Sequence, residues 1–327
     1  MVYIYKKRIG KKDYYYLRAS VKQKNKLITK DIAYLGDDPG RIYERLNSLP
    51  QKEIRKSYHK LKRFIESDYY LKKAEEQNFR KEFDYINGVE ACRIHWQTKV
   101  LKLDEKTLQE TLKHFVIELT YNTTSIEGNT ITLEEAQRLL MENLTPKNRT
   151  LREIHDIKNS EKAFFTLWKD KAAITHEFII GLHTSLLRNI DERTGYRTGD
   201  VRVFRSKFKS TPHQFIRADL DILLRWYKEN QDIHPLILAS AFHHKFEKIH
   251  PYFDGNGRTG RMLMNYILMQ RGYPPIIHQK KHRIRYLDAL READECPLDK
   301  YDKHKYKKLI ELSTFFMQDK YWDNFLI

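Results

Sequence analysis

Cysteine is nearly missing from this chain, with two residues, Cys92 and Cys296, in 327. They stand far apart and match neither a zinc-ligand spacing nor a disulfide framework, so a reducing cytoplasm is the expected location. Long apolar runs are lacking too. No stretch approaches about eighteen uncharged apolar residues, which argues against a membrane span. The opening MVYIYKKRIG passes from a few apolar residues straight to charge, without the apolar core of a secretory leader. The chain shows no internal repeat and no low-complexity tract. Acidic residues are scarce at the start: residues 1–30 hold ten Lys/Arg against one Asp.

What is present is base, unevenly spread. The formal net charge is +17. Residues 1–100 hold 24 Lys/Arg and 13 Asp/Glu, and the rest of the chain 37 and 31. Such asymmetry suits a polyanion near the N-terminus or a nucleotide-binding core, and a solvated basic face would produce it as well.

The chain divides by pattern. Residues 2–36 read as short strands, DYYYLRASV and NKLITKDIAYLG joined by the polar turn KQKNK. Tyr3, Tyr5, Tyr14, Tyr15 and Tyr16 lie among lysines there. They could stack on bases, but cross-strand pairing in a small sheet is the simpler reading. Gly36 to Gly40 form a breaker cluster. Residues 41–100 read as a helical linker, exposed and charged to about residue 85. From about 101 helical periodicity dominates, with Leu108, Leu112, Phe115 and Leu119 on one stripe and a capping box at Thr132 and Glu135. Further helical patterns cover 151–169, 175–189, 216–230, 235–249, 258–271, 283–294 and 299–319. TGDVRVFRSKFKSTP (198–212) interrupts them with β-type residues, and a hairpin is predicted there. The expected architecture is mainly α: a basic β-hairpin module over 1–40, the linker, and a helical bundle with one β excursion over 101–327.

The chemistry concentrates in HPYFDGNGRTGR, residues 250–261. Pro251 ends the helix before it, and RTGRMLMNYILMQRG begins the next, so the stretch is a loop feeding a helix N-terminus. Gly255 and Gly257 are predicted to take positive φ and turn successive N–H groups into a nest for anionic oxygens. The helix N-terminus adds to that field. Arg258 and Arg261 lie three apart and share a face. Asp254 beside an anion site suggests a bridging cation such as Mg²⁺. His250 can accept a proton from an attacking hydroxyl. These are the parts of phosphoryl or nucleotidyl transfer.

Other readings of the same residues fail. GNGRTG satisfies G-x-G-x-x-G, but a helix precedes it and HQKKHR stands where a dinucleotide site needs an acid. A kinase loop fails for want of its downstream signatures. His243, His244, Glu247 and His250 do not have zinc spacing, and Met262, Met264 and Met269 read as packing.

The stretch resembles the motif of the Fic family. His250, Asp254, Gly255, Asn256, Gly257, Arg258 and Arg261 occupy its chemical positions, with Tyr252 where the family usually has Phe. The likeness extends over roughly 100–320, through GYRTGDVRV, MNYILMQRGYPP and RIRYLDALREAD. The resemblance implies a Fic-type helical bundle with a β-hairpin flap and transfer of AMP from ATP to a Ser, Thr or Tyr hydroxyl of a target protein, with loss of pyrophosphate. It implies His250 as base and Asp254 as Mg²⁺ ligand. Gly255, Asn256, Gly257, Thr259 and Gly260 would line the phosphates, with Arg258 and Arg261 neutralising the outer ones. Val203, Phe204, Arg205 and Ser206 would form the flap that pins the target chain. Tyr286, Leu287 and Asp294 fall on the adenosine side. TTSIEGNTIT matches the family's inhibitory pattern through Thr123, Glu127 and Gly128, which implies a bidentate Glu127–Arg261 bridge competing with the γ-phosphate. In similar enzymes that glutamate can instead orient a water that removes AMP. Pairing into homodimers is a further expectation by analogy. An alternative function, regulation in contact with nucleic acid, would rest on residues 1–40.

Overall fold

The computed structural model describes residues 2–23, 26–49, 51–77, 85–201 and 210–326. The chain forms two compact units, one of residues 1–98 with 321–327 and one of residues 99–320.

In the first unit β1 (Val2–Ile9), β2 (Lys12–Gln23) and β3 (Lys26–Gly36) make an antiparallel sheet in the order β1-β2-β3. Alternation sorts the side chains. Val2, Ile4, Tyr15, Leu17 and Leu35 face inward. They pack with Ile42 and Leu46 of α1 (Ile42–Asn47) and with Ile54, Leu61 and Ile65 of α2 (Gln51–Glu76). The charged segment after residue 41 is therefore not simply an exposed linker, because an apolar stripe of α2 closes the sheet's core. Asp68 of α2 accepts hydrogen bonds from Lys6 Nζ at 2.6 Å and from the Tyr15 hydroxyl. The two inward polar tips of the sheet, buried Tyr15 and half-buried Lys6, thus find one carboxylate. α3 (Ile86–Thr98) adds an aromatic cluster, in which His95 Nδ1 lies 2.6 Å from the Tyr321 hydroxyl and Trp96 packs edge-on to Phe325.

The second unit holds α4 (Glu105–Ile126), α5 (Leu133–Met141), α6 (Leu151–Lys169) and α7 (His176–Leu186). α8 (Ile216–Glu229), α9 (Pro235–Ile249), α10 (Asn256–Gln270), α11 (Arg283–Ala293) and α12 (Lys303–Asn324) follow, the last running on into the first unit. α5 and α6 each start on a full capping box, Thr132 with Glu135 and Thr150 with Glu153. α9 and α10 lie at the centre, buried almost all round. α10 packs on α4, α6, α7 and α9. Gly260 allows α9 to pack close, since a Cβ there would lie 2.7 Å from His243 Nδ1. Among the described residues no helix is long and apolar enough to cross a membrane. Most of the predicted hairpin, residues 202–209 with Val203, Phe204, Arg205 and Ser206, lies outside the described residues.

Candidate active site

α9 ends at His250, whose backbone is left-handed at φ 55° and ψ 59°. Among the described residues the other non-glycine positions with positive φ are all asparagines, which tolerate this region better than histidine. External bonds hold the turn. Buried Arg197 donates from Nε to the His250 carbonyl at 2.8 Å, and its own N–H donates to the Pro251 carbonyl at 2.9 Å. Burial depresses the His250 imidazole below its ordinary value; a bond to the Glu247 backbone opposes this, and the Arg197 charge adds to it. The imidazole is thus neutral at neutral pH, the form that can take a proton.

Asn256 closes the loop on itself. Its Oδ1 accepts from the Tyr252 N–H at 2.9 Å and its Nδ2 donates to the Tyr252 carbonyl at 2.9 Å. The side chain expected to cradle phosphate is therefore committed to loop closure. Tyr252 is buried and stacks on His183 with centroids 3.5 Å apart. Its hydroxyl finds no partner among the described residues, so the ring serves the apolar role that Phe would. His183 Nε2 lies 3.0 Å from the Asp254 carbonyl, which pins the next turn of the loop.

Gly255 then takes φ 78° as N-cap of α10. Gly257 does not have positive φ, contrary to expectation. It lies within the first helical turn, and its lack of a side chain matters for another reason given below. The Thr259 N–H and hydroxyl both bond the Gly255 carbonyl, at 3.0 and 2.8 Å. The N–H groups of Asn256, Gly257 and Arg258 precede that ladder and form the anion-attracting end of α10.

Two arginines are held ready at this end. Arg258, 2% exposed, pairs through Nη1 with buried Asp156 of α6 and through Nη2 with Asp254 at 3.5 Å. Asp254 also pairs with Arg152 and accepts from the Gly255 N–H at 2.6 Å. Burial works to raise the Asp254 carboxyl, but Arg258 and Arg152 overcome it and hold it below the usual range. Sequence reading missed Arg152 and Asp156. The visible signal was the spacing Arg152 to Asp156, one helical turn on one face of α6, which says nothing about its partner a hundred residues later.

Arg261 is buried and points at α4. Its Nε donates to Thr123 Oγ1 at 2.8 Å, and its Nη2 donates to the Thr123 carbonyl at 2.9 Å and to Glu127 Oε1 at 2.7 Å. The expected bidentate bridge is thus a single carboxylate contact, with Thr123 taking Nε and sharing Nη2. Glu127 is the C-cap of α4, followed by Gly128 at φ 102°. A Cβ on Gly257 would lie 2.0 Å from Glu127 Oε1. The carboxylate therefore rests directly on the first turn of α10, where an incoming anion would bind.

Behind Arg261 lies a buried polar layer. His243 Nε2 bonds the Tyr286 hydroxyl, while His243 Nδ1, Glu247 Oε1 and His278 Nε2 have no hydrogen-bond partner among the described residues. Burial raises the Glu247 carboxyl to about 8, against the pull of Arg261, so it is neutral at pH 7. Burial and Arg261 together lower His278 to about 3. Leu287 is half-buried beside Tyr286. Asp294 accepts from His244 Nε2 at 3.0 Å, and His244 Nδ1 lies 2.8 Å from the Tyr306 hydroxyl. His243 and His244 thus have phenol and carboxylate partners.

Residues 173–268, which span this loop, α9 and most of α10, match the Fic/DOC family. The sequence is 34% identical over 200 residues to the protein adenylyltransferase Fic of Aedes aegypti, an alignment covering 58% of this chain and 39% of that protein. The chain thus spans about two fifths of the length of this relative. The fold is similar to a Fic-domain signalling protein of Bacteroides thetaiotaomicron, with TM-score 0.65 at 23% identity over 71% of this chain and 94% of that one. It is also similar to a Fic family protein of Desulfovibrio desulfuricans, with TM-score 0.58 at 26% identity over 74% of each chain. The matched segment holds α7 to α9 and most of α10, and with them His250, Asp254, Arg258 and Arg261, whereas Glu127 and Asp156 come from helices before it.

Proposed function

We propose that the chain is a protein adenylyltransferase held in check by its own Glu127. The observation that carries the reading is the convergence of a neutral His250, the first turn of α10 and the buried Arg258 and Arg261 on one loop, with a carboxylate resting on the anion-binding end. The name of the Aedes aegypti relative supports it.

ATP would lie along the loop with its phosphates at the N–H groups of Asn256, Gly257 and Arg258. His250 takes the proton of a Ser, Thr or Tyr hydroxyl of the target protein, and the oxygen forms a bond to the α-phosphorus. The bond from that phosphorus to the β-bridging oxygen breaks, pyrophosphate leaves, and AMP stays on the target as a phosphodiester. Arg258 and Arg261 balance charge on the departing phosphates without moving, because Asp156 and Thr123 already fix them.

Asp254 fits a Mg²⁺ ion. It is ionised, about one third exposed, and a single carboxylate suffices where phosphates and water supply the other ligands. Bound there, the ion would offset negative charge along the phosphates. Arg152 holds Asp254 in its place and must yield to it.

In this reading Glu127 blocks the terminal phosphate by occupying Arg261 and the turn over Gly257. A second reading has one observation in its favour. Glu127 is 41% exposed and only its Oε1 is bonded to Arg261, which leaves Oε2 to orient a water that would remove AMP from a modified protein.

The test is incorporation from α-labelled ATP into proteins of a cell extract by the wild-type, Glu127→Gly and Glu127→Gly/His250→Ala chains. Labelling that requires His250 supports the transferase. Equal labelling with and without His250 overturns it, and loss of label from AMP-modified protein on adding wild type selects the hydrolase.

A further inference from the structure

The sheet over residues 2–36 has a second face that the catalytic reading does not use. Sheets with one solvated face usually alternate apolar inward and polar outward. Here the outward set is aromatic and basic. The pairs Tyr3↔Arg18, Tyr5↔Tyr16 and Lys7↔Tyr14 across β1 and β2, and Tyr16↔Tyr34 across β2 and β3, share the face opposite the packed residues Ile4, Leu17 and Leu35. Tyr34 is 49% exposed, and Tyr3, Tyr5, Tyr14 and Tyr16 are partly exposed. The Arg18 guanidinium lies 3.5 Å from the centroid of Tyr5, and Tyr16 meets Tyr34 at 5.2 Å.

We infer that this open face binds single-stranded nucleic acid. A continuous row of rings across three strands offers stacking surface that the inner core does not need. Bases can use it only where they are unstacked, as in a single strand. The surrounding charge is complementary: ten bases and one acid in residues 1–30. Of the carboxylates on this face, Asp31 is already paired with Arg18 at 2.5 Å. Lys7 and Lys12 are exposed and border the ring row, where a phosphate backbone would run. The site shares no residue with the 250–261 loop, so it stands or falls independently of the transferase reading.

The experiment is fluorescence anisotropy on the full chain with labelled oligomers of about 12 nucleotides, as single-stranded RNA, single-stranded DNA and a duplex. A single strand is bound at low salt and the duplex at least about tenfold more weakly; comparison of the RNA and DNA arms tells which sugar is preferred. Tyr5→Ala and Tyr16→Ala each weaken binding by roughly 5- to 100-fold, while Tyr16→Phe retains it. Lys7→Ala/Lys12→Ala, which leaves the rings and the core untouched, lowers the slope of log affinity against log salt by about 1.4. His250→Ala leaves binding unchanged. Equal affinity for duplex, or affinity indifferent to the tyrosines in chains that circular dichroism shows to be folded, overturns the inference. So does a stable dimer that Tyr16→Ala dissociates, since the face would then be occupied by a second copy.

Discussion

Glu127 Oε1 lies 2.7 Å from Arg261 Nη2 and occupies the space a side chain on residue 257 would fill. One carboxylate thus satisfies a buried guanidinium and covers a helix N-terminus at once. A charge-assisted hydrogen bond of this kind contributes about 1.5–3 kcal/mol. Glu127→Gly is therefore expected to raise AMP incorporation by roughly 10- to 100-fold, measured with α-labelled ATP, and Glu127→Gln by less. Unchanged incorporation in Glu127→Gly would remove the brake from the account.

Gly257→Ala places a methyl group 2.0 Å from Glu127 Oε1 and 2.8 Å from Arg261 Nη1. The carboxylate must leave, so the substitution is expected to destabilise the chain by about 1–3 kcal/mol in chemical denaturation. In the Glu127→Gly background most of that loss disappears, a coupling of about 0.5–3 kcal/mol in a double-mutant cycle. Additive losses would mean that the contact over Gly257 carries no energy.

His250 must be neutral to accept a proton, and its folded value lies below the ordinary histidine value of 6.5. Activity of the Glu127→Gly chain should therefore rise with pH through a limb below 6.5 and be level at neutral pH. A limb centred above 7 in the kcat/KM profile would contradict the neutral, partly buried imidazole.

Glu247 sits behind Arg261 with its carboxyl raised to about 8 by burial. Between its unfolded value of 4.5 and 8 the folded chain binds the extra proton, so its contribution to stability is full below 4.5 and is lost as pH rises through 8. Glu247→Gln mimics the protonated form. The fall in Tm from pH 6 to pH 9 should be smaller in that variant than in the wild type. Identical falls would assign the pH dependence to other groups.

Much of the fold was legible because its signals are local. The apolar stripe 108–119, both capping boxes and the strand alternation over 2–36 each follow from a few consecutive residues. C-terminal boundaries were less legible. The pattern 299–319 became Lys303–Asn324, because aromatic packing of Tyr321 and Trp322 extends the helix beyond its sequence periodicity.

By itself the sequence determined the reactive inventory: a histidine at a helix end, an acid, glycines and two arginines in twelve positions, and a glutamate in its own short motif far upstream. Only the tertiary structure decided who serves whom. Asn256 closes the loop, Gly257 makes room for a carboxylate, Asp156 and Arg152 brace the site from α6, and Thr123 shares Arg261 with Glu127. The physical reason is that backbone preferences act over a turn or two. The satisfaction of a buried charge depends on which helices pack together, and no local spacing encodes that.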